Sequence, residues 1–222
     1  METIEAKCTE LREMRTQHCQ IGLLFLGPGP GHGLHIVDTL AVAVLDRSLS
    51  LVRAFLRLVE DENMVAAAIL CRCQIDNGLR FFATSLTDHP DLLVKEMLAG
   101  SPVHRFTDRD GNKMFDAHLK KELGKLVSWV PTLYEQASGY VHLSEQHIYN
   151  SFGQPDESGQ HRVKIDGRDG TRWSPNACVE TIHSFCAATQ LVLEVVEMWG
   201  KSPKRTAEGG GVLVEEQAST HS

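Results

Sequence analysis

The chain has 222 residues, of which 42% are hydrophobic, and its 22 basic and 29 acidic residues give a formal net charge of −7. This length suits one domain with a substantial buried core. The excess of acidic residues argues against a domain that binds nucleic acid over its whole surface, so we expect no duplex DNA partner. A local basic groove is still compatible with this net charge.

The N-terminal residues and the cysteines indicate the cellular compartment. Residues 1–5 lack a basic region followed by an apolar one, so we expect no secretory signal and a cytoplasmic location. The longest stretch without a formal charge, 16–37, is broken by glycine and proline, so we predict no membrane span. The six cysteines are then expected to be free thiols. Cys71 and Cys73 diverge by about 200° on a helix, and we predict neither a metal nor another cofactor.

Hydrophobic spacing predicts an all-α fold, a helical bundle of five to six helices in a single domain over residues 1–200. Residues 1–33 are expected to form a polar helix and a Gly/Pro loop. Two long helices with apolar residues at three- and four-residue steps follow over 34–60 and 62–87. Gly78 weakens the second of these and marks a close approach of a neighbouring helix.

The second half of the bundle is less regular. Shorter and longer helices are predicted over 92–99, 115–123, 131–150 and 175–200. Residues 151–174 form an irregular insertion before the last helix, and the alternating run 161–165 within it is compatible with a short β-hairpin. The composition of 201–222 is typical of a disordered tail.

Three charged residues, Arg72, Asp76 and Arg80, follow each other at four-residue steps and therefore form one stripe on a helix. Arg72 lies about 60° from the apolar position Ile75, which places the stripe at the edge of the core. One interpretation is an ion-pair ladder that stabilises the helix. The other is a pair of guanidinium groups that the carboxylate orients toward an anion.

A second polar group surrounds His142. On a helix, Ser138 lies one turn before it and Glu145 nearly one turn after it, whereas Tyr140 and Ser144 lie on another side. Such neighbours can fix the tautomer of a histidine and tune its pKa across neutrality. The alternative is a boundary histidine that bonds to a neighbouring helix.

Two segments resemble the signatures of an uncharacterised bacterial helical family. Residues 69–80 resemble its arginine-containing second helix, and residues 134–147 resemble its Tyr-Val-His-x-Ser segment. The intervening 110–116 is also similar, and the resemblance spans roughly residues 35–200. The fold of that family is distantly similar to the HEPN-type bundles, which include metal-independent ribonucleases of toxin and phage-defence systems.

The HEPN ribonucleases use an arginine followed by four to six residues and a histidine. In this sequence no arginine stands at that spacing before His142. The literal match, Arg12 and His18, lies in the first helix. The resemblance therefore implies the fold more directly than it implies the activity.

We expect a HEPN-like module that binds a protein partner or a nucleotide or RNA anion without established catalysis, and that forms a homodimer. Its candidate binding residues are Arg72, Asp76, Arg80, Ser138, Tyr140, His142 and Ser144. The alternative is a ribonuclease in which His142 acts as general acid or base and Arg72 stabilises the negative charge of the phosphorane.

Overall fold

The computed structural model describes residues 3–26, 35–142, 144, 148, 157–160, 173–202 and 205. Those residues contain two short 3₁₀-helices, seven α-helices and no β-strand. The α-helices are α1 (Ile4–Leu26), α2 (Ile36–Glu60), α3 (Met64–Phe82), α4 (Pro90–Leu98), α5 (Asp116–Leu126), α6 (Val130–Val141) and α7 (Pro175–Gly200). The all-α prediction is confirmed.

The helix count in this part of the chain exceeds the predicted five to six. The short α4 begins at Pro90, which suits the first turn of a helix, and ends before Gly100, which has a φ of +90°. It is the helix predicted over 92–99, with its start at Pro90. The hairpin predicted at 161–165 and nearly all of the tail over 201–222 lie outside the described residues.

Helix α1 is longer and more deeply packed than the polar helix predicted at the N-terminus. It continues to Leu26, and its buried residues include Leu11, Met14, Ile21 and Phe25. These positions follow helical spacing, so they form one apolar stripe. Apart from the buried Lys7, the charged residues of α1 occupy the other faces and give the segment its polar composition.

Two glycines lie where helices approach each other closely. A Cβ atom at Gly78 of α3 would lie 3.4 Å from a methyl carbon of Leu191 in α7, which confirms the close approach predicted there. A Cβ atom at Gly124 of α5 would lie 2.6 Å from the ring of Pro131 in α6. The first distance is an ordinary van der Waals contact, whereas the second is a clash with a rigid ring.

We expect alanine to have opposite effects at these two glycines. Gly78→Ala should keep or raise the free energy of unfolding, because alanine is favoured over glycine in a helix by about 1 kcal/mol and the site has room for it. Gly124→Ala should lower it, because α5 and α6 must move apart. Urea unfolding of both variants checks this, and a destabilised Gly78→Ala beside an unchanged Gly124→Ala would contradict it.

A polar network crosses the core between four helices. The amide nitrogen of Gln74 donates to the hydroxyl of Ser48 at 2.6 Å and to that of Thr189 at 3.1 Å. Asn77 donates in turn to the amide oxygen of Gln74 at 3.1 Å. All four residues are buried, and Gln74 is 0% exposed. A polar group buried in this way is tolerated because each member finds a partner.

His18 of α1 completes the network. Its Nδ1 lies 2.8 Å from the carbonyl oxygen of Met14, which can only accept, so Nδ1 carries the proton. Its Nε2 lies 2.9 Å from the hydroxyl of Ser48. Burial lowers the pKa of His18 and outweighs the opposing effect of the Met14 hydrogen bond. The ring is therefore neutral, and Nε2 accepts from Ser48.

Folding should weaken with falling pH because of His18. Its pKa is lower in the folded chain than the unfolded value of about 6.5, so the unfolded state gains protons first as the pH falls. We expect the variant His18→Gln to be less stable than wild type at pH 8 and to lose less stability on going to pH 5.5. His183→Gln, at an exposed position on α7, is the control. Urea unfolding at both pH values measures the difference, and parallel losses in all three proteins would contradict it.

Candidate functional site

The ion-pair ladder on α3 is present as the spacing predicts. Nη1 of Arg72 lies 3.4 Å from Oδ1 of Asp76, and Nη2 of Arg80 lies 3.3 Å from the same oxygen. That oxygen is buried and has no hydrogen bond of good geometry. The two contacts are therefore ion pairs without a well-aligned hydrogen bond, and the arginines have further partners.

Those partners come from α5 and α6. Oδ1 of Asp116, at the first position of α5, accepts from Arg80 at 2.5 Å, and its Oδ2 accepts from Arg72 at 3.3 Å. The hydroxyl of Tyr134 in α6 donates to Oδ2 of Asp116 at 3.1 Å. We call Arg72, Asp76, Arg80, Asp116 and Tyr134 the charged cluster. It ties three helices together.

Arg72 is the centre of the charged cluster, and each of its three nitrogens has a partner. Beyond the contacts with the two aspartates, Nη2 donates to the hydroxyl of Tyr134 and Nε donates to Ser138 at 3.3 Å. Its guanidinium carbon also lies 3.8 Å from the centroid of the Tyr134 ring. A guanidinium engaged in this way is fixed in position.

The charges of the cluster balance, since two arginines face two aspartates. Burial works against ionisation of Asp116, but the charges and hydrogen bonds of Arg80, Tyr134 and Arg72 prevail and lower its pKa. Burial raises the pKa of Tyr134, against the effect of Arg72. At neutral pH Asp116 is therefore ionised and Tyr134 is protonated, so the cluster has no net charge.

The other predicted site residues lie elsewhere. Helix α6 ends at Val141, not at the predicted residue 150, and His142 is exposed with extended backbone angles. Tyr140 lies with its ring centroid 5.6 Å from that of Trp173. The hydroxyl of Ser144 is 3.1 Å from where a Cβ of Gly139 would lie. Of the seven predicted binding residues, the structure thus joins Arg72, Asp76, Arg80 and Ser138.

The two residues of the ribonuclease hypothesis are not joined by a polar contact. No hydrogen bond or ion pair joins Arg72 and His142, both of which are described. The arginine and histidine of the literal match in α1, Arg12 and His18, each have a structural partner. Arg12 reaches Glu60 at 3.4 Å, whereas His18 points into the core.

The loop that precedes α5 is held by hydrogen bonds of Asp108 and Arg109, and it leads from the charged cluster to a second region, the cavity described below. Oδ1 of Asp108 accepts from the backbone nitrogens of Asp110 and Asn112 at 3.0 and 2.8 Å, and Oδ2 lies 2.7 Å from Nε2 of His118. The next residue, Arg109, donates to the carbonyl oxygen of Ser85 at 2.6 Å. The loop is therefore docked on the 3₁₀-helix that follows α3.

An apolar cavity of about 520 Å³ lies beside this loop, between the C-terminal parts of α3, α5 and α7. Its walls include Phe81, Leu123, Val127, Leu191, Val195 and Trp199. The volume lies within the range of sites for small molecules or for a few side chains of a partner. None of the residues around it was predicted as a site residue.

The mouth of the apolar cavity combines exposed apolar side chains with acidic ones. Leu126 is 68% exposed and Met198 is 61% exposed. Asp88 and Glu194 also line it, and the positive charge there is that of Arg109, whose Nε lies 3.6 Å from Asp88. An apolar surface with an acidic rim therefore extends from the cavity.

The described residues give little support for a metal site, a reactive cysteine or a membrane span. No group of three or more His, Cys, Asp or Glu that could hold a metal ion occurs among them. The cysteines are free thiols, and burial raises the pKa of Cys71 and Cys186. Helix α7 is apolar enough to cross a membrane by length and composition, but 56% of that stretch is buried within the bundle.

Comparison with known proteins gives no relative: no family model, no curated protein and no solved structure matches this chain. The resemblance to HEPN-type bundles therefore stays a prediction, and function has to be argued from the geometry.

We expect Asp116→Asn to destabilise the fold, because it removes the charge that holds both arginines to α5. The cost should be about 1–3 kcal/mol, at the lower end because Asp116 is 37% exposed. Asp116 has a lowered pKa in the folded chain, so its contribution is present above about pH 4 and is lost as the pH falls further.

Urea unfolding at pH 7 and pH 3 tests this. The difference between wild type and Asp116→Asn should shrink at the lower pH, because the unfolded chain then takes up a proton on Asp116 more readily than the folded chain does. Asp110→Asn, in an exposed turn, is the matched control. A difference that is independent of pH would show that the charge of Asp116 is not what stabilises α5.

Proposed function

We propose that this protein is a binding module of HEPN-like architecture, without catalysis, that binds an apolar segment of a protein partner in the apolar cavity. The observation that carries this is the continuity of the cavity with exposed Leu126 and Met198 at its mouth. Apolar surface of this kind on a soluble domain marks an interaction site. A segment of a macromolecule can cover both the cavity and the exposed residues beyond it.

The charges of the rim favour a particular partner. The rim carries two acidic side chains, Asp88 and Glu194, and one basic side chain, Arg109, which pairs with Asp88, so its net charge is negative. An apolar segment next to lysine or arginine would complement this rim, and an acidic one would be repelled. The partner segment is therefore expected to be apolar with a basic flank.

The two polar alternatives gain less support. An RNA or nucleotide anion needs free guanidinium donors, but the three nitrogens of Arg72 are engaged by residues of the same chain. The ribonuclease alternative further needs His142 beside Arg72, and the contacts of Arg72 do not include His142. We regard the charged cluster as structural.

A random peptide library displayed on phage and selected against the full chain tests the proposal. We expect enrichment of peptides with two or more large apolar residues next to lysine or arginine. Leu126→Asp should weaken binding of the synthesised peptide about tenfold or more, because the charge meets an apolar ligand.

Leu98→Asp is the matched control. Leu98 is also the last residue of its helix and is 67% exposed, but it does not line the cavity. The Leu98→Asp variant should bind the peptide with the affinity of the wild-type protein. Equal loss in both variants, or enriched peptides that bind Leu126→Asp undiminished, would overturn the proposal.

A further inference from the structure

A second cavity, which we call the basic cavity, adjoins the apolar cavity. It encloses about 370 Å³ between the start of α4 and the loop that precedes α5. Asp88 and Arg109 line both cavities, so their ion pair, with atoms 3.6 Å apart, lies on the boundary between them. A partner segment that leaves the apolar cavity past this ion pair can therefore continue into the basic cavity.

The basic cavity offers positive charge to a partner. Arg105 and Lys113 line it beyond the shared ion pair, and both residues are exposed. Nζ of Lys113 donates to the carbonyl oxygen of Arg105 at 2.8 Å, which brings the two residues together. An ammonium group has three donors, so this bond leaves Lys113 able to bind a further acceptor. The remaining acid of the cavity, Asp108, is buried, and hydrogen bonds within the loop and with His118 engage its carboxylate.

The opposite border of the apolar cavity is acidic. Glu194 also lines a third cavity, of about 350 Å³ between α1 and α7, which we call the acidic cavity. Its charged residues are Glu194 and Glu197, and glutamine, leucine and isoleucine form the rest of its walls. Glu197 pairs with Lys201 at 2.6 Å. Glu194 accepts from the neutral amide of Gln190 at 3.1 Å, which leaves its charge uncompensated in the described part of the chain.

We infer that these three cavities bind one continuous segment of the partner, with basic residues at the acidic cavity, apolar residues in the apolar cavity and acidic residues at Arg105 and Lys113. The inference rests on the proposed function, since the apolar part of the segment occupies the same site. Charge complementarity supports it, because the surface changes from negative at Glu194 to positive beyond the ion pair of Asp88 and Arg109.

The two charged ends give this site specificity more than affinity. Exposed ion pairs are individually weak, so most of the binding free energy comes from the apolar residues. A segment laid in the wrong direction places like charges together at both ends and is rejected. The arrangement therefore fixes the direction in which the partner segment lies.

A series of synthetic peptides tests the inference by fluorescence anisotropy with the full chain. Each peptide has a pair of lysines, a run of leucines and a variable pair of glutamate, glutamine or lysine, made in both orders along the peptide. In one order, the glutamate peptide should bind at least about threefold more tightly than the glutamine peptide. The net charge of −7 on the chain attracts lysine instead, so a preference for glutamate has to arise at a local positive site.

The variant Arg105→Glu identifies that site. It should bind the lysine peptide more tightly than the glutamate peptide, because the charge at that end of the site is reversed. Such a reversal also shows that the variant is folded, since a misfolded chain has no reason to exchange one preference for the other. Arg53→Glu makes the same change of charge at an exposed position on α2 that lines none of the three cavities, and it should keep the wild-type preference.

The outcomes separate this inference from the proposed function. Equal affinity for the glutamate and glutamine peptides in both orders, with weaker binding of both to Leu126→Asp, overturns the inference and leaves the apolar cavity as a binding site. A preference for glutamate that Arg105→Glu retains, or that Arg53→Glu loses to the same extent, also overturns it. Peptide binding that Leu126→Asp leaves unchanged, or no binding of any peptide, overturns both.

Discussion

The arrangement of this bundle depends on helix α3, whose faces meet different neighbours. One face carries Gln74, Asn77 and Gly78, which bond to α2 and α7 or pack against α7 within the core. Another carries the arginines of the charged cluster, which hold α5 and α6. Because residues three and four apart share a face, each of these stripes contacts its own set of neighbouring helices.

The buried network on the first of these faces sets the register of the helices. In its hydrogen bonds each residue donates to the next. Asn77 donates to Gln74, Gln74 to Ser48, Ser48 to His18, and His18 to a backbone carbonyl of α1. Arg47 donates to Asn77 at the other end. A shift of one helix by a turn would leave several of these buried groups without partners, at about 1–3 kcal/mol each. Apolar contacts alone discriminate less sharply between such registers.

Sequence reasoning recovers what depends on spacing along one helix. The ladder of Arg72, Asp76 and Arg80, the close approach at Gly78 and the core position Ile75 all follow from the periodicity of α3. The role of Gln74 does not, because its partners are 26 and 115 residues away and a polar side chain next to an arginine stripe is typical of a solvated face.

Two further features depend on where helices end. No glycine or proline occurs between Val141 and Gly153, so the pattern of apolar residues continues past the point where α6 stops. His142 caps α6: its backbone nitrogen still donates to the carbonyl oxygen of Ser138 at 3.1 Å, but its own backbone angles are extended. The apolar cavity likewise lies between the C-terminal parts of three helices, and periodicity within one helix carries no information about such a gap.

The charged cluster and the apolar cavity are joined through α5. This helix begins with Asp116 in the cluster and ends with Leu126 at the cavity mouth, about 15 Å away for eleven residues. The ion pairs of Asp116 fix its first turn, and the contact between Gly124 and Pro131 fixes its last. Leu123, buried near that end, is a wall of the cavity. Arg72 and Arg80, which the sequence singles out, thus help to position one wall of the apolar cavity, because they hold the first turn of α5 through Asp116.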